Sequence, residues 1–301
     1  MTTTDAPLDI SLAPKIASYS LQLPGHPEIE IAQAAHRIRL VNKWHDDIYP
    51  GARVLELGCG QGNTTAVLAE AVRETGHVDA LDPAPPDYGA PFTLDQAQRH
   101  LAAGPVGPRI AWHRATPQDF LRSTATANDV GVWDVAVLAH CIWYFASERE
   151  LEDILAALQG RVKRVCIAEY ALHASEKAAI PHVRAVIARG ALEMHKEESD
   201  ANVRSPLSPE VIKEVASRSG WKCSSESTVV PEVGLLDGSW EVGTVVDENF
   251  LHEVYEAVPN DEIRDIILSA RDATIAAVAA LKGDQVRTMD VWVATFAPSA
   301  S

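Results

Sequence analysis

Cysteine and basic residues are scarce in this chain of 301 residues. The four cysteines are isolated, and no two have the spacing of a zinc site, so we expect free thiols in a reducing compartment. Lysine and arginine total 26 against 42 aspartate and glutamate residues, which gives a formal charge of -16. This excess of negative charge argues against binding to nucleic acids and to anionic membranes. Small molecules and proteins remain as substrate classes.

The sequence also lacks targeting and membrane-spanning features. The first five residues contain neither a basic region nor an apolar run, which argues against a standard secretory signal. No segment is long enough and apolar enough to span a bilayer. We therefore expect a cytoplasmic protein that does not bind membranes, with a homodimer left open as its assembly state.

A glycine-rich loop is the most informative feature that is present. A short apolar run typical of a strand leads into the pattern Glu56-x-Gly58-x-Gly60-x-Gly62, and a helical pattern follows. Glycines at every second position allow positive φ and a close approach to a ligand, while the helix start offers free N–H groups. The dinucleotide fingerprint G-x-G-x-x-G would require glycine at Asn63. The spacing therefore favours a different nucleotide cofactor.

Two acids follow the glycine loop at informative places. Asp82 ends a second predicted strand at residues 77–82, where a carboxylate can accept hydrogen bonds from both ribose hydroxyls. Asp119, preceded by Gln118, follows a third predicted strand at residues 109–115. Simpler interpretations stay open, since glycine turns occur without ligands, Asp82 could cap a turn and Asp119 could be an acid of a first helical turn.

The loop and the two acids, in this order, resemble the class I S-adenosylmethionine-dependent methyltransferases. The resemblance implies a Rossmann-like α/β fold with a seven-stranded, mostly parallel sheet whose last strand is antiparallel. It implies S-adenosyl-L-methionine as cofactor, S-adenosyl-L-homocysteine as product, and a hydrogen bond from the adenine amino group to Asp119. The residues predicted to contact the cofactor are Glu56, Gly58, Cys59, Gly60, Gln61, Gly62, Asn63, Asp82, Gln118 and Asp119.

Strands and helices alternate along the middle of the chain, which predicts a parallel sheet covered on both faces. The predicted strands are 53–57, 77–82, 109–115, 133–139, 162–169, 221–230 and 289–296. Capping boxes are predicted at Thr93 and Ser147, and an N-cap at Ser208. An amphipathic helix from Ile29 precedes the first strand, and another helix is predicted at 175–195.

The resulting organisation has four parts. Residues 1–50 form an N-terminal arm and helix, 51–230 a cofactor-binding core, 231–283 a helical insertion, and 284–301 the last core strand and tail. The insertion is far longer than usual connections and contains two helical patterns, at 248–257 and 261–281. We expect it to be a lid or an acceptor pocket, with dimerisation or bracing as the alternatives.

The methyl acceptor is expected beyond the fourth strand, where His140 stands beside Trp143 and Tyr144. A neutral histidine can take a proton near neutral pH, or it can position a ligand. Trp143 and Tyr144 could contact the acceptor or pack in the core. Tyr19 is added to the substrate-binding candidates because the resemblance implies that an N-terminal arm folds over the active site. No group of residues has the spacing of a metal site, so no metal is predicted.

The whole pattern resembles the stand-alone small-molecule methyltransferases of fungal and bacterial secondary metabolism. The resemblance implies metal-independent transfer of a methyl group from S-adenosylmethionine to an oxygen, in a hydroxyl or a carboxylate, of a small organic acceptor. Methylation of nitrogen, carbon or sulfur stays open. A second hypothesis keeps the fold without methylation, as a cofactor-binding protein or a cyclase.

Overall fold

A seven-stranded sheet forms the centre of the computed structural model, which describes residues 7–124, 132–199 and 201–299. The strands are β1 (Arg53–Leu57), β2 (His77–Leu81), β3 (Ile110–His113), β4 (Trp133–Ala139), β5 (Val162–Tyr170), β6 (Trp221–Val229) and β7 (Val291–Pro298). Their order is β3-β2-β1-β4-β5-β7-β6. Strand β7 pairs antiparallel with β5 and β6, whereas the other neighbouring pairs are parallel. The predicted sheet is confirmed, with its last strand antiparallel.

Helices cover both faces of this sheet. They are α1 (Ala13–Ala17), α2 (Pro27–Asn42), α3 (Asn63–Val72), α4 (Leu94–Ala103), α5 (Pro117–Ser123), α6 (Glu148–Ala157), α7 (Ile180–Glu193), α8 (Pro209–Arg218), α9 (Asp237–Val246), α10 (Glu248–Ala257) and α11 (Asp261–Ala279). Helix α7 begins later than predicted, because Pro181 lies in its first turn after a short 3-10 segment. Within the described ranges, every helix is too short or too polar to cross a membrane.

Alternate residues of the central strands pack on opposite faces of the sheet. Along β4, Val135 and Val137 join one buried cluster with α1, α2 and α3, while Ala136 and Leu138 join another with α5, α6 and α8. This alternation follows from the two-residue repeat of a strand. Because both faces are buried, β4 is apolar from Val135 onward, as parallel sheets require, and Asp134 at its start pairs with Lys163.

The predicted helix caps have different outcomes. Thr93 and Gln96 form the complete capping box, and the Ser208 hydroxyl accepts a hydrogen bond from the Val211 N–H at 3.3 Å. The box predicted at Ser147 is wrong, because its hydroxyl makes no capping hydrogen bond with the described residues. The Glu150 carboxylate instead accepts from the N–H of Ala146 at 3.0 Å, one residue before the expected donor.

The residues between β6 and β7 form three helices rather than the two predicted, since α9 was not anticipated. They build a hydrophobic cluster with α7, to which Val245, Phe250 and Ile267 contribute fully buried side chains. This segment also contacts α2. The Gln33 amide donates to Asp237 at 2.8 Å. The three helices therefore lie against both α7 and the N-terminal helix.

The strand order reverses between β1 and β4, and the loops that follow these two strands meet. A Cβ placed on Gly58 would lie only 2.5 Å from the Cβ of Cys141, so glycine is needed for this close approach. Open α/β sheets bind ligands at such a switch point, beyond the carboxyl ends of the strands. The loops that follow β1 and β4 are therefore the expected position of a ligand site.

Candidate active site

The glycine loop after β1 has a preformed, open shape. Gly58, Gly60 and Gly62 all have positive φ, at 68°, 54° and 95°. A Cβ on Gly62 would lie 2.5 Å from Leu101, whereas a Cβ on Gly60 would meet no described atom within 4 Å. The loop is therefore packed against Leu101 at Gly62 and open at Gly60. Helix α3 begins at Asn63 without a side-chain cap, so its first N–H groups remain available to a ligand.

Asp82 fastens the glycine loop to the end of β2. One carboxylate oxygen accepts from the Gly60 N–H at 2.8 Å and the other from the Ala84 N–H at 2.9 Å. Each oxygen has a second lone pair that can accept another donor. The Gln61 amide donates to the carbonyl of Phe92 at 2.6 Å, which docks the proline-rich loop after β2 onto the glycine loop. The candidate cofactor groove is thus held together before any ligand binds.

Glu56 and Cys59 are buried beside this loop. Only 2% of Glu56 is exposed, and its Oε2 has no hydrogen-bond partner among the described residues. Burial raises the pKa of Glu56 to about 8, and the nearby Asp82 adds to the effect. Burial also raises the pKa of the Cys59 thiol, so it is not a reactive thiolate. Glu56 is therefore a buried acid that a cationic ligand group would ionise.

Gln118 and Asp119 lie at the start of α5. The Asp119 side chain is 61% exposed, accepts a hydrogen bond from the Thr116 hydroxyl at 2.8 Å and pairs with Arg122. The Thr116 bond lowers the pKa of Asp119. Gln118 is partly exposed beside it. In this structure Asp119 is therefore an acid in a first helical turn. Its role toward adenine stays a prediction.

His140 occupies a tight turn immediately after β4. It has a φ of 54°, which is uncommon for a residue with a side chain, and its N–H donates to the Ala168 carbonyl at 2.9 Å. Its Nε2 lies 3.0 Å from Nε2 of His36, and its Nδ1 lies 3.5 Å from a carboxylate oxygen of Glu169. Backbone strain of this kind recurs where a side chain must be held in one orientation for function.

Glu169 is fixed behind His140. It is 1% exposed, and its two oxygens accept from the N–H groups of Ile142 and Tyr170, each at 3.0 Å. The Tyr170 ring packs on His140 with 4.4 Å between ring centroids, and its hydroxyl donates to Asp237 at 3.0 Å. A carboxylate held in this way accepts hydrogen bonds and stabilises a positive charge on its neighbour.

Three functional candidates on α2 were missed in the sequence analysis. Gln33, His36 and Arg37 are only 6%, 3% and 9% exposed, although all three are polar. Their spacing of three and four residues places them on one side of the helix. The apolar residues of the same helix, among them the buried Ala34 and Ile38, account for its packing in the core but not for these polar side chains. A second, polar stripe was the available signal.

Buried polar atoms without partners concentrate in this region. Nearly all buried polar groups in native proteins are hydrogen-bonded, so a concentration of exceptions indicates groups that a ligand completes. Arg37 is close enough to Glu56 and Tyr170 to oppose the effect of burial on both pKa values. Among the described residues, the unpartnered atoms here are Gln33 Oε1, His36 Nδ1, Arg37 Nε and Nη1, Glu56 Oε2, Thr65 Oγ1, His140 Nδ1 and His182 Nε2.

The predicted aromatic contacts divide into two groups. Trp143 is buried, donates its indole N–H to the Leu207 carbonyl at 3.0 Å and packs on Tyr170. Tyr144 is 43% exposed, and partial burial together with its neighbours Tyr88 and Glu241 raises its pKa. Tyr19 lies elsewhere, since its hydroxyl donates to Glu70 of α3 at 3.4 Å. Trp143 is thus linked to His140 through Tyr170, whereas the Tyr19 hydroxyl is bonded to α3.

No group of three or more His, Cys, Asp or Glu residues in the described part of the chain is arranged to hold a metal ion. His45 and Asp46, which follow α2, make local contacts instead. His45 Nδ1 lies 3.0 Å from the carbonyl of Asn42, and its Nε2 lies 3.3 Å from Asp46.

Comparisons with known proteins find methyltransferases. Residues 28–86 match the family described as Protein-L-isoaspartate(D-aspartate) O-methyltransferase. Methyltransferase phomM' of Diaporthe leptostromiformis is 28% identical over 286 residues, covering 79% of this chain and 71% of that protein.

Two solved structures extend the comparison to the whole fold. The cyclopropane-fatty-acyl-phospholipid synthase-like protein from Lactobacillus casei is 29% identical, with a TM-score of 0.82, covering 96% of this chain and all of its own. A putative sarcosine dimethylglycine methyltransferase from Galdieria sulphuraria is 12% identical with a TM-score of 0.52, covering 96% of this chain and 98% of its own. The second of these likenesses concerns the fold alone.

Proposed function

The chain belongs to the class I S-adenosylmethionine-dependent methyltransferases, and we propose that it transfers the methyl group to an oxygen of a small organic molecule without a metal ion. It is a methyltransferase of the small-molecule type. The atom that is methylated is our inference. It rests on the buried pair of His36 and His140, backed by Glu169, at the end of β4.

The residues around the glycine loop fit S-adenosylmethionine. The loop is open at Gly60, where an adenosine ribose can approach the backbone and the free lone pairs of Asp82. The unpartnered Glu56 suits the ammonium group of the cofactor, and the unpartnered guanidinium nitrogens of Arg37 suit its carboxylate. We propose Gln118 and Asp119 for the adenine. When bound, the cofactor supplies a methyl group on a positively charged sulfur.

The protein's part in such a transfer is to orient the acceptor, exclude water and accept a proton. His36 and Glu169 are almost fully buried, and only 7% of the His140 side chain is exposed, so bulk water is kept from this position. A neutral imidazole can take the proton of a hydroxyl as its oxygen is methylated. A carboxylate acceptor is already ionised, and His140 then acts only by positioning.

We place the acceptor between the end of β4 and α9. Tyr144 is half-exposed there and lies within electrostatic range of Asp237 and Glu241 of α9. Trp143 is buried behind this position and packs on the Tyr170 ring. The segment 231–283 and the arm before Ile29 would then cover the acceptor and open to admit it. Tyr19 would contribute only by holding the arm in place, because its hydroxyl donates a hydrogen bond to Glu70 of α3.

A carbon acceptor is the main alternative. The bacterial neighbour's name mentions a fatty-acyl phospholipid, and its identity of 29% makes it informative. Methylation of an alkene carbon leaves a carbocation that must also lose a proton, so a buried histidine pair suits this reaction as well, and the labelling experiment decides between the two acceptors. Methylation of nitrogen or sulfur, or cofactor binding without methylation, are further alternatives.

The proposal is tested with a library of phenols, alcohols, carboxylic acids, amines, thiols and unsaturated phospholipid vesicles. The enzyme is incubated with isotopically labelled S-adenosylmethionine, and labelled products are identified by mass spectrometry. We expect label in phenols or carboxylic acids and stoichiometric S-adenosylhomocysteine. Label confined to amines, thiols or acyl chains would contradict oxygen methylation. His140→Asn and His140→Ala should lower turnover, and full activity of both would remove His140 from the site.

A further inference from the structure

The contacts of His140 determine where its proton lies. A carboxylate is only an acceptor, and Glu169 already accepts from two backbone N–H groups while facing His140 Nδ1 at 3.5 Å. The arrangement therefore favours a proton on His140 Nδ1, with a lone pair on its Nε2. That lone pair faces Nε2 of His36 at 3.0 Å, and one of two nitrogens at this distance must carry the shared hydrogen.

The same reasoning fixes the tautomer of His36. If His140 Nε2 accepts, then His36 Nε2 donates, and its Nδ1 is left as a bare lone pair. His36 Nδ1 is buried and has no partner among the described residues. Nδ1 of His140 also lacks a hydrogen bond among the described residues, but it lies 3.5 Å from the Glu169 carboxylate, and it is this charge that distinguishes it from His36 Nδ1. This distinction is not evident from the sequence, which places the two residues 104 positions apart.

We propose that His36 Nδ1 is the atom that takes the proton of the methyl acceptor, and that His140 relays the charge to Glu169. The inference rests on the proposed oxygen methylation and adds the residue that contacts the acceptor. His36 would be the catalytic base. His140 would act through His36 as a positioning and relay residue.

The proton transfers balance as follows. The acceptor oxygen forms its bond to the methyl carbon, the carbon–sulfur bond breaks, and that electron pair stays on sulfur. The hydroxyl proton moves to His36 Nδ1, while the hydrogen on His36 Nε2 moves to His140 Nε2. His36 ends as the neutral Nδ1–H tautomer. His140 ends as an imidazolium beside the Glu169 carboxylate, which stabilises the positive charge.

The surroundings support a neutral His36 at the start of this sequence. Burial lowers the pKa of His36 well below its ordinary value, and Arg37, His140 and Arg39 act in the same direction. Glu169 and Tyr170 of β5 lie against His140, and Tyr170 in turn contacts His182 of α7 and Asp237 of α9. Burial lowers the pKa of His182 to about 3, so this neighbour is also neutral.

The tautomers can be read directly, without an acceptor, by nuclear magnetic resonance of the wild-type chain labelled with ¹⁵N in its histidine rings. The S-adenosylhomocysteine complex is measured near neutral pH, and His36→Gln and His140→Gln assign the two rings by loss of signal. We expect a proton on Nδ1 of His140 and on Nε2 of His36, with His36 Nδ1 unprotonated. A proton on His36 Nδ1, or a charged His36, would overturn the proposal.

A pair of His36 variants tests the catalytic role on phenols of graded acidity. His36→Gln keeps a donor toward His140 but removes the basic nitrogen, and we expect turnover about 10² to 10⁴ lower. The loss should shrink as the phenol becomes more acidic, which a structural role would not cause. An unchanged rate, or an equal loss for every phenol, would overturn the proposal.

Two controls keep the outcomes distinct. S-adenosylhomocysteine should bind His36→Gln with wild-type affinity by calorimetry, which shows that the variant folds. His36→Asn loses the donor toward His140, and it should shift the His140 ring signals that His36→Gln preserves. If the wild type methylates none of the phenols, the proposed function fails, and the tautomer measurement decides on His36 by itself.

Discussion

Replacing Arg37 with methionine should weaken cofactor binding without destabilising the chain. The Arg37 side chain is nine-tenths buried, and two of its nitrogens have no partner in the described structure. A buried charge without a partner is costly in the folded state. Even the exchange of a paired set of buried charges for apolar residues of similar size is often neutral or stabilising, by about 1–4 kcal/mol, and a single unpaired charge loses no ion pair on such an exchange. Arg37→Met should therefore leave the free energy of unfolding unchanged or raise it.

Binding should change in the opposite direction. If Arg37 binds the carboxylate of the cofactor, the variant loses hydrogen bonds between charged groups, which contribute about 1.5–3 kcal/mol. That loss corresponds to a dissociation constant for S-adenosylhomocysteine roughly 10- to 100-fold higher. Methylthioadenosine has no amino acid group, so its affinity should be unaffected. The comparison of the two ligands separates loss of a carboxylate contact from general damage to the groove.

Calorimetric titration measures both affinities, and urea unfolding measures stability. Arg39→Met is the matched control, because Arg39 lies on the same helix but is partly exposed and pairs with Glu232. The control should bind both ligands with wild-type affinity. If Arg37→Met instead lowers stability and binds S-adenosylhomocysteine normally, Arg37 is structural. If the variant retains cofactor affinity but raises the Michaelis constant of a carboxylic acid acceptor, the carboxylate belongs to the acceptor.

Three further predictions concern the groove and its cover. Because the pKa of Glu56 is raised to about 8 from 4.5, the folded chain holds a proton that the unfolded chain has released. The free energy of unfolding should fall as pH rises between these values, and Glu56→Gln should show a smaller fall in urea titrations; parallel curves would contradict the assignment. Asp82→Ala removes the anchor of the Gly60 loop and should weaken S-adenosylhomocysteine binding by at least about tenfold in calorimetry. Wild-type affinity in Asp82→Ala would show that Asp82 does not bind the cofactor. Hydrogen exchange of residues 231–283 and of the arm before Ile29 should slow when S-adenosylhomocysteine and an acceptor bind, and exchange unchanged there would favour bracing or dimerisation.

The sheet was predictable because its signals are local. Strands β1 and β4 begin and end where predicted, since each is a mostly apolar run bounded by turn residues. The antiparallel β7 followed from the family resemblance rather than from periodicity. Helix α9 was missed because its sequence contains two glycines and several β-branched residues, which are poor helix formers. Contacts with α7 and with residues near Thr288 stabilise it instead.

The candidate site was only partly predictable, because its groups come from distant parts of the chain. His140 could be identified as a candidate from its place after a strand. His36 could not be paired with it, since only the packing of α2 across the strand ends brings the rings together. Local contacts were equally decisive for Asp119, whose hydrogen bonds to Thr116 and Arg122 follow from its position in a first helical turn.

The most direct test of the account follows the methyl group itself. S-adenosylmethionine labelled with ¹³C in its methyl group is incubated with the enzyme and a cell extract, and the product is examined by ¹³C–¹H correlation spectroscopy. We predict a new signal in the methoxyl region, which is much weaker when His36→Gln replaces the wild-type enzyme, or in the methyl ester region, where no base is needed and the signal persists in that variant. A new signal characteristic of an N-methyl, S-methyl or C-methyl group would contradict oxygen methylation.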